Sequence, residues 1–181
     1  MNVIKCDLEG LLIIEPDVFG DHRGFFVEAW NRQRYREAGI ADDFVQDNFS
    51  LSRRGTLRGL HFQKPHPQGK LVSVWQGGVF DVAVDIRRNS PTFGRWLGLN
   101  LTAESKRQFY ISPGFAHGFA VLSETALFHY KCTEPYSPKD EVGFRWNDPA
   151  IGINWPVEAP TLSQRDAQAP LLKDLPVDRL F

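Results

Sequence analysis

The stretch Leu57–Arg87, LRGLHFQKPHPQGKLVSVWQGGVFDVAVDIR, reads as strand material with chemistry set into it: Arg58, His61, Gln63, Lys70 and two aspartates, Asp81 and Asp85. Tyr130 stands in a later segment of the same kind, TALFHYKC. A two-residue period sorts these side chains by face. Gly59, His61 and Gln63 share a face, opposite Arg58, Leu60 and Phe62. Lys70, Val72, Val74 and Gln76 oppose Leu71, Ser73 and Trp75. Asp81, Ala83 and Asp85 oppose Phe80, Val82, Val84 and Ile86. Ala126, Phe128 and Tyr130 oppose Leu127, His129 and Lys131. If His61, Lys70 and Tyr130 look into one mouth, an imidazole, an ammonium and a phenol meet there. That is the equipment of acid–base chemistry. A single strand histidine is usually structural and a single lysine usually exposed. Three polar groups on one inner wall are hard to explain by packing, because buried polar atoms need partners.

Such a mouth needs rigid walls, and the rest of the chain offers them. Pro and Gly punctuate the sequence every 8–12 residues or so, the turn spacing of sandwiches and barrels. GLLIIEPDVFGDHRGFFVEAW reads as a strand, a turn around Gly20-Asp21 and a second strand. NRQRYREAG is the best short helix, ended by Gly39. DFVQDNFSLS is a strand with Gln46, Asn48 and Ser50 on one face and Val45, Phe49 and Leu51 on the other. Further strands are expected at about 56–63, 69–76, 78–87, 94–103, 107–112, 117–123 and 125–132. From about 143 to 181 the chain is rich in Pro, Asp and Trp. It reads as irregular structure with a short terminal helix, closing over the sheets. The expectation is one all-β domain over residues 1–181, a jelly-roll sandwich or small barrel with a few short helices.

Composition narrows the function classes. With 181 residues, 42% hydrophobic and 24% charged, the chain has a globular profile and enough length for a core. The net charge of -1, with no basic run, argues against nonspecific nucleic-acid binding. No apolar stretch approaches the roughly 20 residues that span a bilayer. Cys6 and Cys132 lie in no CxxC pair and no apolar leader is evident, so a reduced, cytoplasmic protein is expected.

ISPGFAHGFAVL places Pro113, Gly114 and His117 at the spacing of the second signature of the cupin superfamily, and GLHFQ lies where the first would put HxH. Gln63 replaces the second histidine there, and Lys64, Pro65 and His66 occupy the region of the expected glutamate. Metal sites of this kind use three or four His or carboxylate ligands on adjoining strands. His61 and His117 alone are a poor set, so no metal is expected.

Several motifs in fixed order carry a more specific likeness: VFGDHRGFFVE, FVQDNFS, RGLHFQ, QGKLV, VFDVAVDIR, SPTFG, PGFAHGF, YKCTEPYSP, WNDP and LSQRD. Together, from about residue 3 to 175, they closely resemble the dTDP-4-dehydrorhamnose 3,5-epimerase family. The resemblance implies a cupin-type jelly roll, a homodimer and no metal or organic cofactor. It implies inversion of dTDP-4-dehydro-6-deoxy-D-glucose at C3 and C5, a step of dTDP-L-rhamnose biosynthesis for surface polysaccharides.

Both carbons flank the C4 ketone. The chemistry needs a base, a stabiliser for the enolate oxygen and an acid on the opposite ring face. By similarity His61 is the base and Asp166 its carboxylate partner. Lys70 is the oxyanion partner. Tyr130 is the acid that reprotonates C5. Gln46, Asp47 and Asn48 match the nucleotide-contacting segment, and Arg23 and Arg58 would meet the diphosphate. Arg23, Phe26 and Glu28 would reach the partner subunit's site. His117 and Glu141 match substrate contacts, and Tyr136 an aromatic that stacks on the base. Arg165 stands where many members have lysine, with the charge kept. A monofunctional 3- or 5-epimerase and a 3,4-ketoisomerase of a related dTDP-ketosugar are the alternatives on this scaffold.

Overall fold

Alternation of the strands builds two facing antiparallel sheets. The computed structural model describes residues 1–181. One sheet has six strands in the spatial order β1 (Asn2–Lys5), β2 (Leu11–Glu15), β10 (Gln108–Ile111), β7 (Lys70–Gln76), β12 (Thr125–Cys132) and β5 (Gln46–Arg53). The other has five: β13 (Glu141–Gly143), β6 (Leu57–Gln63), β11 (Phe115–Val121), β8 (Gly78–Asp85) and β9 (Trp96–Thr102). β3 (Val18–Asp21) and β4 (Gly24–Val27) form a separate hairpin. The architecture is a cupin-type jelly roll. No helix is long and apolar enough to cross a membrane.

The inward residues of both sheets, among them Val72, Val74, Val79, Ala83, Phe109 and Phe128, fill the main core. The outward residues of β6 and β8 are apolar too, because a second core covers them. Leu60, Phe62, Val82, Val84 and Ile86 pack there beneath Ile151, Leu172 and Leu180 of the C-terminal segment. That segment contains α2 (Gln164–Ala167) and two single 3₁₀ turns, Leu172–Asp174 and Val177–Arg179. A third cluster seals Leu71 and Tyr110 under the region of α1 (Arg32–Glu37), whose Tyr35 is buried. Each large side chain buried in this way stabilises the fold by about 1.5–3 kcal/mol.

Three local features depart from the sequence expectation. The first long strand breaks at Pro16, which lacks an N–H. The turn beyond it falls at His22-Arg23, not Gly20-Asp21, because Asp21 Oδ1 accepts a hydrogen bond from Arg23 N at 2.8 Å. The short edge strand β13 was not expected at all; it brings Glu141 opposite Gln63 and Gly143 opposite His61.

A fourth departure alters the site. Simple alternation puts Arg58 on the face opposite His61, yet both side chains line the same cleft. His117 pairs with His61 and Phe119 with Arg58, so Gly59 and Leu60 of β6 stand against the single Gly118 of β11. This is a β-bulge at Gly59, whose φ is +117°. A Cβ on Gly59 would meet Gly118 Cα at 2.6 Å. Only glycine allows the two backbones to approach so closely.

Candidate active site

A cleft of about 690 Å³ opens between the sheets at one end of the sandwich. The five-stranded sheet contributes His61 and Arg58 from β6 and His117 from β11. The six-stranded sheet contributes Lys70 from β7, Tyr130 from β12 and Asn48 from β5. Phe119 and Phe128 stack at 4.0 Å between centroids and give the cleft an apolar floor.

Asp166 arrives from outside the sheets. Thr161 N–H donates to Gly55 O and Leu57 N–H to Thr161 O, which pins the C-terminal segment to the start of β6. Ser163 then caps α2, its Oγ accepting from Asp166 N. The helix sets Asp166 Oδ1 2.5 Å from His61 Nε2. A carboxylate accepts, so Nε2–H donates and Nδ1 is left as the open ring nitrogen. Gly143 stands opposite His61, and a Cβ there would lie 3.1 Å from the ring. Burial pushes the Asp166 carboxyl up, but the hydrogen bond and charge of His61, with Ser163 and Gly59 N–H, hold it below the usual carboxylate range.

On the facing wall, burial lowers the Lys70 ammonium, against the opposing pull of Cys132, Glu141 and Asp81. Its Nζ lies 6.0 Å from the centre of the Tyr130 ring. Burial raises the Tyr130 phenol, with Cys132 and Glu141 acting in the same direction. Tyr130 therefore stays protonated near neutral pH and remains a donor. Arg58 is fixed by Ser52 Oγ, which accepts from Nε at 3.2 Å and Nη2 at 3.1 Å.

Ten of the fifteen residues singled out in the sequence line this cleft: those six, with Tyr136, Glu141, Arg165 and Asp166. Gln46 stands just behind the wall. Its amide donates to Asn48 and its carbonyl accepts from Tyr136 N, so it braces two lining residues. Asp47 does not face the cleft. Alternation turns it to the outer face of β5, where Lys131 Nζ binds it at 2.7 Å and His129 Nε2 lies 3.5 Å away. Arg23, Phe26 and Glu28 are also outside the cleft of their own chain. Arg23 pairs with Asp21 on the exposed hairpin, Phe26 is exposed beside it, and Glu28 pairs with Arg34.

Sequence reasoning missed Asp81. It is fully buried, and both its oxygens lie 3.0 Å from His117 Nε2. Burial lowers the His117 imidazole more than Asp81 raises it. The neutral ring donates Nε2–H to Asp81. The signal was present: an aspartate on the inward face of a core strand needs a partner. Gln63, in the place of a cupin ligand, is instead a loop tie, its amide donating to His66 O and Pro135 O. No group of three or more His, Cys, Asp or Glu side chains is placed to hold a metal ion.

The profile of the dTDP-4-dehydrorhamnose 3,5-epimerase family matches residues 5–174. The chain belongs to this family. It is 58% identical to the dTDP-4-dehydrorhamnose 3,5-epimerase of Salmonella typhimurium over 175 residues, 95% of this chain and 96% of the relative. A solved family structure is the dTDP-6-deoxy-D-glucose-3,5-epimerase of Legionella pneumophila, in complex with dTDP-4-keto-L-rhamnose. It superposes with a TM-score of 0.97 at 54% identity, over 99% of this chain and 96% of that one. A 3'-monoepimerase from Streptomyces bikiniensis, in complex with dTDP-quinovose, shares the fold at a TM-score of 0.87. Its identity is lower, 37%, over 93% of this chain and 86% of that one.

Proposed function

We infer that this isomerase inverts C3 and C5 of dTDP-4-dehydro-6-deoxy-D-glucose without a cofactor, yielding dTDP-4-dehydro-L-rhamnose. One observation carries the mechanism. A carboxylate-held histidine on one wall of the cleft faces an ammonium and a protonated phenol on the other. His61 Nδ1 takes the proton from the carbon next to the ketone. The electrons move into the C4–oxygen bond, and Lys70 stabilises the enolate. Asp166 steadies the imidazolium that results. Tyr130 returns a proton to C5 from the opposite ring face, a solvent proton reaches C3 on the face away from His61, and exchange with solvent restores both His61 and Tyr130. Arg58 and Arg165 hold the diphosphate, and Asn48 and Tyr136 hold the nucleoside.

The enzyme works as a homodimer in the cytoplasm. Phe19, Phe25 and Phe26 on the hairpin, and Phe49 and Leu51 on the outer face of β5, are all exposed. Apolar surface of that extent suits a second copy. Crossing of the hairpin would carry Arg23 and Phe26 to the partner's cleft. Two free cysteines suit a reducing compartment.

Incubation with dTDP-4-dehydro-6-deoxy-D-glucose in D₂O tests the reaction. Deuterium at both C3 and C5 is expected. Tyr130→Phe should keep exchange at C3 and lose inversion at C5. Exchange at one carbon in the wild-type protein would move it to the monofunctional class, and none at either carbon would refute the reading.

A further inference from the structure

We propose that Glu141 is a positioning residue that couples occupancy of the nucleotide end of the cleft to the open nitrogen of His61. The inference rests on the assignment of Arg165 and Tyr136 to the nucleotide. Glu141 lies on β13, a three-residue edge strand paired only with β6. Its two carboxylate oxygens face different parts of the site. Oε1 is 3.8 Å from His61 Nδ1, the nitrogen Asp166 leaves open. Oε2 accepts from Tyr136 OH at 3.0 Å and forms the ion pair with Arg165 Nη1. Arg165 Nη2 also donates to the Glu141 carbonyl at 2.9 Å. Tyr136 N donates in turn to Gln46. The groups assigned to base and diphosphate therefore converge on one oxygen of Glu141, while the catalytic base faces the other.

In the free protein Glu141 stands against the nitrogen that must receive the proton. The Glu141 side chain is largely buried, but that of Arg165 is half exposed and can be reached by a ligand in the cleft. A diphosphate offers the guanidinium fork a bidentate and more highly charged partner. When Arg165 turns to it, Glu141 keeps only Tyr136 on Oε2. The carboxylate then follows Tyr136 and leaves Nδ1 open to the sugar carbon. The nucleotide thus prepares the base as well as anchoring the sugar.

The test uses the full chain with isotope-labelled histidine. His61 ring signals are assigned with His61→Asn and followed by NMR during titration with dTDP, which carries no sugar, or with thymidine, which carries no phosphate. Calorimetry records binding in parallel. In the wild-type protein dTDP should move the His61 signals and thymidine should leave them in place. Glu141→Gln should still bind dTDP, with His61 now silent. If Glu141→Gln fails to fold, Arg165→Gln breaks the route from the other side and should give the same silence, and Arg165→Lys should restore the response. An equal response in wild type and Glu141→Gln, an equal response to thymidine, or bound dTDP with no response in the wild type would each overturn the coupling. Absence of dTDP binding in the wild-type protein would remove the nucleotide assignment itself and the coupling with it.

Discussion

His61–Asp166 and His117–Asp81 are both histidine–carboxylate pairs at the same cleft, and their adjacent strands place the two histidines opposite one another. Their construction differs. His117 and Asp81 come from neighbouring strands of one sheet, and the carboxylate is entirely buried. His61 is a quarter exposed, and its carboxylate is supplied by a four-residue helix 105 positions further along the chain. The pair made within a sheet is closed and neutral at the histidine. The pair made between a sheet and a docked segment keeps one nitrogen open. A mobile proton needs the second construction, and a fixed contact to substrate needs the first.

Breaking the open pair should have the largest effect. His61→Asn should lower turnover by about 10³-fold while the fold persists, measured by solvent exchange and by circular dichroism. Asp166→Asn should cost about 10²-fold, since the base remains and loses its orientation. The same variant sharpens a stability argument. The folded Asp166 carboxyl lies below its ordinary value of 3.8, so its stabilisation is present above that pH and lost as pH falls through the lower folded value. Acid denaturation of Asp166→Asn should lack that loss.

The closed pair should respond in stability before chemistry. Asp81→Ala leaves a buried ring N–H without an acceptor and should cost about 1–3 kcal/mol in chemical denaturation. Lys70 lies between the two pairs in its effect. Its lowered ammonium should produce an alkaline limb in the rate profile below the ordinary lysine value of 10.5, as the cation deprotonates with rising pH. In Lys70→Arg the residual activity should keep its rate to higher pH. A third pair, His129–Asp47, lies on the outer face away from the cleft. Asp47→Asn should change kcat/KM by no more than about twofold.

The residues of β7, β8 and β12 were readable because the register runs unbroken from Lys70 to Val74, through Ala83 and from Phe128 to Cys132; the one shift between β7 and β12 falls at Leu127/Phe128, short of Tyr130. The same rule predicts that Asp47 faces away from Gln46 and Asn48, and it does; the likeness to a family motif had grouped all three. Arg58 escaped because a bulge at Gly59 shifts parity, and a one-letter sequence does not show a bulge. Asp81 escaped for another reason. Its inward orientation was legible, but its partner depended on the register of β8 against β11. Glu141 depended on a three-residue strand too short to leave a pattern.

The parallel bridge between Thr56 and Thr161 ties the end of the fold to the strand that carries the base. During synthesis His61 leaves the ribosome long before Asp166. A nascent chain can thus form much of its sheet structure while its base still lacks an orienting carboxylate. Docking of the C-terminal segment both covers the second core and completes the dyad. Full turnover therefore reports that the segment carrying Asp166 has been made and has found its place, and a chain that stops short of it lacks the orienting carboxylate.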